Sequence, residues 1–181
     1  MKIFIAIIIT SFVSSCAEAV IGGIGASAVF FSKKEYTIFS SKMVYDAKRE
    51  VSHLLQDNNY SSKSVSIVQG GDTIYVIGVV KSALVKSRII SVLDKIFNKH
   101  YVDEIIINPD GSNRIQDTYI KTKVRNKLLF TRYVKSQNYK ILVYNQKAYI
   151  IGFASSQSEK DIVISVLSQI EYINDIVAYI T

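Results

Sequence analysis

The sequence predicts an α+β fold made twice over: two tandem modules, each α-β-β-α-β, with a three-stranded sheet packed by two helices. Three observations carry that prediction. The block Ile74-Tyr75-Val76-Ile77-Gly78 recurs as Ala148-Tyr149-Ile150-Ile151-Gly152, and Ile89-Ile90-Ser91-Val92-Leu93 recurs as Val163-Ile164-Ser165-Val166-Leu167 at the same offset of 74 residues. A period this long exceeds a solenoid unit and suits a pair of compact modules. Within each copy the apolar positions alternate between helical and strand periods, the pattern of mixed elements sharing one core.

The elements follow in order. Ala47, Val51 and Leu55 recur every four residues and form the buried stripe of a first helix. Val65 to Val68, the turn Gly70-Gly71-Asp72 and Thr73 to Val80 read as a hairpin. A second helix runs from about Ala83 to Phe97, and Val102 to Ile107 is the closing strand. The turn-rich Asn108-Pro109-Asp110-Gly111-Ser112-Asn113 marks a linker, so the modules occupy residues 42–108 and 116–181 with 109–115 between them. In the second copy Asp117 is the expected N-cap, and Ile120, Val124 and Leu128 form the stripe. Tyr139 to Tyr144, the polar pair Asn145-Gln146 and Lys147 to Phe153 read as the second hairpin. A helix over about Ser158 to Leu167 and a strand over Ile176 to Ile180 complete the copy. Gly78 and Gly152 lie inside strands, where glycine costs stability; they read as structural glycines at a close approach of a helix to the sheet.

Composition narrows the function. Cys16 is the only cysteine, so no disulfide can staple modules this small, and 49% apolar residues with 12 Tyr must supply their cores. The net charge of +7 raises nucleic acid or an anionic membrane as partner. Its placement is uneven: Thr118 to Ser158 contains eight basic residues and no acidic one. That stretch is either a solvated basic face or a binding surface. The two histidines, His53 and His100, lack counterparts in the second copy and read as surface residues. No nucleophile–base pair, metal cluster or carboxylate pair appears, so the expectation is a non-enzyme without cofactor or metal.

Met1-Lys2 followed by the apolar run Ile3 to Phe12 has the shape of a secretory signal. Its end, Val13-Ser14-Ser15-Cys16, resembles a bacterial lipobox. The resemblance implies a signal peptide over 1–15, acylation (palmitate among the chains) at Cys16, and a tether over 16–41. Ala17 in place of Asp implies the outer membrane, facing the periplasm. The Gly-rich residues 19–31 make a poor phosphate loop, because no Lys-Ser/Thr follows them.

The α-β-β-α-β order, the helix pattern Asp117-x-x-Ile120-x-x-x-Val124-x-x-x-Leu128 and the aliphatic-x-Gly strands resemble the BON domain. Two such modules behind a lipobox resemble the dual-BON outer-membrane lipoproteins, the division- and outer-membrane-stress-associated lipid-binding protein family. The first copy departs at Val44, where the helix-start Asp would stand, and at Gly71, which replaces the hairpin Asn. The resemblance implies binding of anionic phospholipid by the first helix of the second module, in support of outer-membrane integrity.

The helical wheel agrees with that expectation. It places Tyr119, Thr122, Asn126 and Leu129 outward, with Arg125 and Lys123 on the flanks, and Lys127 joins them as an expected contact. Lysine and arginine would meet lipid phosphates while the tyrosine sits at the interface. The family usually has Trp at the Tyr119 position, which suggests a weaker anchor here. The competing structural role for Tyr119 and Leu129 is packing on the neighbouring module. The alternative function is a periplasmic adaptor for envelope assembly proteins without direct lipid recognition. Nucleic acid is not an expected partner of an exported lipoprotein.

Overall fold

A computed structural model describes residues 40–181, which fall in one compact unit. The expected signal segment 1–15, Cys16 and the expected tether up to residue 39 lie outside the described residues. The elements are α1 (Ser41–Asp57), β1 (Val65–Gly70), β2 (Thr73–Val80), α2 (Ala83–Phe97) and β3 (Val102–Ile107), then α3 (Arg114–Leu129), a short 3-10 turn (Ser136–Asn138), β4 (Tyr139–Tyr144), β5 (Lys147–Gly152), α4 (Gln157–Ser168) and β6 (Asp175–Ile180). The fold is α+β, with four α-helices and two three-stranded sheets among the described residues.

Both sheets share one topology. The middle strand pairs antiparallel with the strand before it through a tight hairpin, and parallel with the strand after it through a helical crossover. A parallel pair needs such a crossover, and α2 and α4 supply it. Short polar side chains start each of the four described α-helices: Ser40, Ser82, Asn113 and Ser156 each accept a hydrogen bond from a first-turn amide. Asp117 is therefore not the N-cap of α3. Asn113 caps it, accepting from the Gln116 amide at 3.2 Å, and Asp117 sits one turn in and buried.

Alternation along the strands gives each sheet two buried faces. Ile74, Val76 and Val80 of β2 join Val44, Ala47, Val51 and Leu55 of α1 and Val85, Ile89, Leu93 and Phe97 of α2 in one core. Ala148 and Ile150 of β5 join Ile120, Val124 and Leu128 of α3 and Val163 and Leu167 of α4 in another. The opposite faces meet each other: Val68, Tyr75 and Ile77 pack against Leu142, Tyr149 and Ile151. The layers are thus helices, sheet, sheet, helices. Among the described residues, Val44 to Ile180 bury three apolar clusters of their own.

Polar contacts stitch the rim of the sheet–sheet seam. Tyr75 and Tyr179 rings lie 4.3 Å apart. The Tyr179 hydroxyl donates to Glu104 Oε1 at 2.6 Å, and Lys147 Nζ lies 3.7 Å from Glu104 Oε2. Burial, followed by the hydrogen bond to Glu104, pushes the Tyr179 phenol well above its usual range, so it stays a donor. Nearby, Tyr144 and Ser66 hydroxyls are 2.8 Å apart, and Arg114 Nη2 donates to Ser64 Oγ at 3.1 Å. Gly70 lets the sheets close: a Cβ there would collide with Ile151 Cγ2 across the seam.

Gly78 and Gly152 have no room for a side chain, but a helix is not what fills the space. A Cβ at Gly78 would meet the Ser64 carbonyl and lie 2.6 Å from Val65 Cα; at Gly152 it would meet the Asn138 carbonyl and lie 2.8 Å from Tyr139 Cδ1. In both copies the obstacle is the backbone leading into the neighbouring antiparallel strand.

Candidate functional site

Helix α3 buries Ile120, Val124 and Leu128 completely, together with Asp117 in its first turn, and turns most of its remaining surface to solvent. What fixes its N-terminal end against the sheet is Asp117. Its carboxylate accepts from the amides of Asn145 at 3.0 Å and Gln146 at 2.8 Å, and from Ser112 Oγ, so helix and β4–β5 turn are held together. Across the sheet end, Glu159 does the same for the opposite loop. It accepts from the Lys135 and Ser155 amides at 2.8 Å each, and these backbone donors hold its pKa below the ordinary carboxylate range.

The sequence-expected residues Tyr119, Thr122, Lys123, Arg125, Asn126, Lys127 and Leu129 are all exposed. They do not form one uniform patch. Tyr119 packs edge-on against Tyr172 of the α4–β6 loop, centroids 6.2 Å apart, with Lys123 Nζ 4.7 Å from its ring centre. Lys123 is also 3.7 Å from Glu171, and Lys127 donates to Gln169 at 3.0 Å. Thr122 donates back to the Thr118 carbonyl at 2.9 Å and so serves its own helix. Tyr119 thus packs within its own half of the molecule and not on the neighbouring one. Arg125 has no hydrogen-bonding or ionic partner among the described residues.

At the C-terminal end of α3 the surface becomes apolar. Leu129 is 60% exposed, Phe130 85% and Tyr133 74%. Arg132 stacks over the Tyr133 ring at 5.1 Å, and a groove of about 650 Å³ runs from Phe130 along Lys123 and Lys127 to the α4–β6 loop. Phe130, Arg132, Tyr133 and Tyr172 were not among the sequence-expected residues. The signal for the first three was available: Leu129-Phe130-Thr131-Arg132-Tyr133 continues past the helix as an apolar–basic run with no buried stripe to absorb it.

Residues 116–181, from the first turn of α3 to the end of the chain, match the BON domain family. The chain contains a BON domain. That domain holds α3, its exposed face and the run that follows. Solved structures similar to the chain include two of CdsD, a structural protein of the type III secretion system of Chlamydia trachomatis, one of them its C-terminal domain. Each is 15% identical with a TM-score of 0.31 over 75% of this chain. The match covers 65% and 61% of those two chains, less than two thirds of either. A comparison with curated proteins finds no match. Among the described residues of the BON domain and the half before it, no group of His, Cys, Asp or Glu is placed to hold a metal ion. No described helix is long and apolar enough to cross a membrane, and His53 and His100 are exposed.

Proposed function

We propose that this chain is a lipid-anchored outer-membrane protein facing the periplasm, with two tandem BON domains, over 42–108 and 116–181. In this reading the second domain binds anionic phospholipid through α3 and supports outer-membrane integrity. The lipobox-like Val13-Ser14-Ser15-Cys16 supports the anchor, and the shared α-β-β-α-β order supports a BON assignment for the first half.

The observation that carries lipid contact is the exposed Leu129-Phe130 pair beside a surface of Lys and Arg. Large apolar groups left in water next to cations suit the boundary between headgroups and acyl chains. In this reading Tyr119 and Lys123, tied to Tyr172 and Glu171, form the rim of that surface, and Arg125 and Arg132 meet phosphate.

The test uses the fragment beginning at Ser40 and vesicles containing phosphatidylglycerol. Amide signals of 118–133 shift on titration, and salt weakens the effect. Replacing Leu129 and Phe130 by Ser removes about 2 kcal/mol of insertion energy, roughly 30-fold in affinity. Unchanged binding by that variant sinks the proposal. A fragment that ignores vesicles yet retains an envelope protein would instead point to the adaptor function.

A further inference from the structure

A second site lies away from the outer face of α3. A cleft of about 620 Å³ opens between the two halves. It is bounded by the α1–β1 loop, the end of β2, the segment before α3, the first turns of α3, and β4. Such a volume is in the range of small-molecule sites, which favour junctions of this kind. None of Tyr119, Lys123, Leu129 or Phe130 lines it.

Its chemistry is one-sided. Lys63, Lys81, Arg114 and Lys121 line the cleft, against Asp110 and Asp117. Both oxygens of Asp117 are already taken up by two backbone amides and Ser112, so little of its acceptor capacity faces the cleft. Among the described residues Lys63, Lys81 and Lys121 have no carboxylate within ion-pair distance, whereas Lys86 and Lys123 each have one and Lys147 has two. Hydroxyls accompany the cations: Ser61, Ser62, Ser64 and Ser66 follow the wall, Ser64 accepting from Arg114 and Ser66 bonded to the Tyr144 hydroxyl, and Thr118 of α3 also lines the cleft.

A neighbouring hollow of about 360 Å³ shares Ser62, Val65 and Ser66 with the cleft and adds Lys48 and Lys140. Burial, then the nearby ammonium groups of Lys48 and Lys121, lowers the Lys140 pKa. Three lysines from α1, α3 and β4 therefore lie near one another, and among the described residues none has a carboxylate within ion-pair distance. Like charges brought together in a partly enclosed place cost stability, and an anion is what offsets that cost.

We propose that this cleft binds a phosphorylated polyol, with Lys63, Lys81, Arg114 and Lys121 meeting the phosphate and the serines of the 61–66 stretch meeting the polyol hydroxyls. Arginine presents a fork matched to phosphate oxygens, and lysines add charge without demanding geometry. The volume far exceeds that of a bare phosphate ion, and the row of hydroxyls gives the remainder of the ligand its partners. A soluble polyol phosphate and a glycerophosphate lipid headgroup share this chemistry. The proposal does not depend on membrane contact by α3.

The fragment from Ser40 is titrated with glycerol 3-phosphate while backbone amides are followed by NMR, with glycerol as control. The expected result is a saturable shift of the amides of Ser61–Ser66 and Ser112–Lys121, absent with glycerol. Arg114→Gln combined with Lys121→Gln weakens binding about tenfold or more. Lys63→Gln with Lys81→Gln, on the opposite wall and away from α3, gives the same loss, which guards against a folding artefact in the first pair. Leu84→Ala, at an exposed position of α2 that lines neither hollow, leaves glycerol 3-phosphate binding intact. Vesicles of phosphatidylglycerol form the second arm: shifts in the cleft amides identify the headgroup as a source, and shifts confined to the outer face of α3 identify a soluble ligand. No saturation with glycerol 3-phosphate by about 10 mM, or shifts unchanged in both double variants, overturns the proposal.

Discussion

Removing the Asp117 carboxylate tests how the second half of the molecule is held together. Asn145 and Gln146, the two residues of the β4–β5 turn, have φ of 52° and 62°. A two-residue hairpin turn demands that left-handed backbone, and neither residue is the glycine that would adopt it freely. Asp117 stands beneath this turn, 6% exposed, and accepts from both turn amides and from Ser112. Asp117→Ala leaves the Gln146 amide and the Ser112 hydroxyl without their acceptor, and leaves the Asn145 amide only Ser112 Oγ at 3.2 Å. Hydrogen bonds to a charged group contribute about 1.5–3 kcal/mol each. The turn amides are only half-buried, so water recovers part of that, and the expected net loss is about 3 kcal/mol. Asp117→Asn keeps one acceptor oxygen and loses about half as much. Adding Asn145→Gly to Asp117→Ala returns about 1 kcal/mol, because the turn then needs less holding. Urea unfolding of the fragment from Ser40 measures all three, and thermal melts show a fall in melting temperature of about 10 °C for Asp117→Ala. A loss below about 1 kcal/mol for Asp117→Ala, or Asn no better than Ala, would refute the clamp.

Two further outcomes are expected. Gly70→Ala drives a methyl group into Ile151 across the seam and toward Tyr75 at 3.1 Å, and costs about 2 kcal/mol with loosened contact between the sheets; Gly71→Ala, with open space around it but φ of 58°, costs only about 1 kcal/mol, and urea unfolding separates the two. Because the folded-state pKa of Glu159 lies below the usual 4.5, its stabilisation is complete above that pH and is lost as pH falls through the lower folded value; thermal melts from neutral to acid pH should show this loss shrinking in Glu159→Gln.

The elements were legible because their signals are local. Helix stripes, hairpin turns and strand glycines each depend on residues a few positions apart, and their positions follow. The sheet–sheet seam depends on residues about 75 apart and was not foreseen, yet its mark is present. Ile74 to Val80 is apolar without alternation, and every residue of that run is buried. A strand facing helices on one side and water on the other would alternate. Continuous apolarity meant that both faces were covered. Asp117 was misplaced for a related reason: an acidic residue just ahead of an apolar stripe is the usual sign of an N-cap, and only the folded hairpin supplies the amides that bury it one turn further in. The outer face of α3 was legible as exposed, but not the ties from Tyr119, Lys123 and Lys127 to the α4–β6 loop, which join positions more than forty residues apart.

The seam also explains why the two halves stay together. Val68, Tyr75 and Ile77 meet Leu142, Tyr149 and Ile151, which stand at the corresponding positions of the second copy, 74 residues on. The correspondence extends to the third strands, since Glu104 pairs with Ile77 in register as Tyr179 pairs with Ile151. One patch used by both partners is the geometry of an isologous dimer interface, here closed within a single chain. Two identical first halves could not close it the same way, because the carboxylates of two Glu104 residues would then have neither Tyr179 nor Lys147 to receive them. The divergence of the copies at this position gives the carboxylate its donors, Tyr179 at 2.6 Å and Lys147 at 3.7 Å. It makes each half complementary to the other and not to itself, and so favours the tandem arrangement over pairing between chains. The cleft lined by Arg114 and Lys121 is a consequence of that arrangement, because its walls come from both copies.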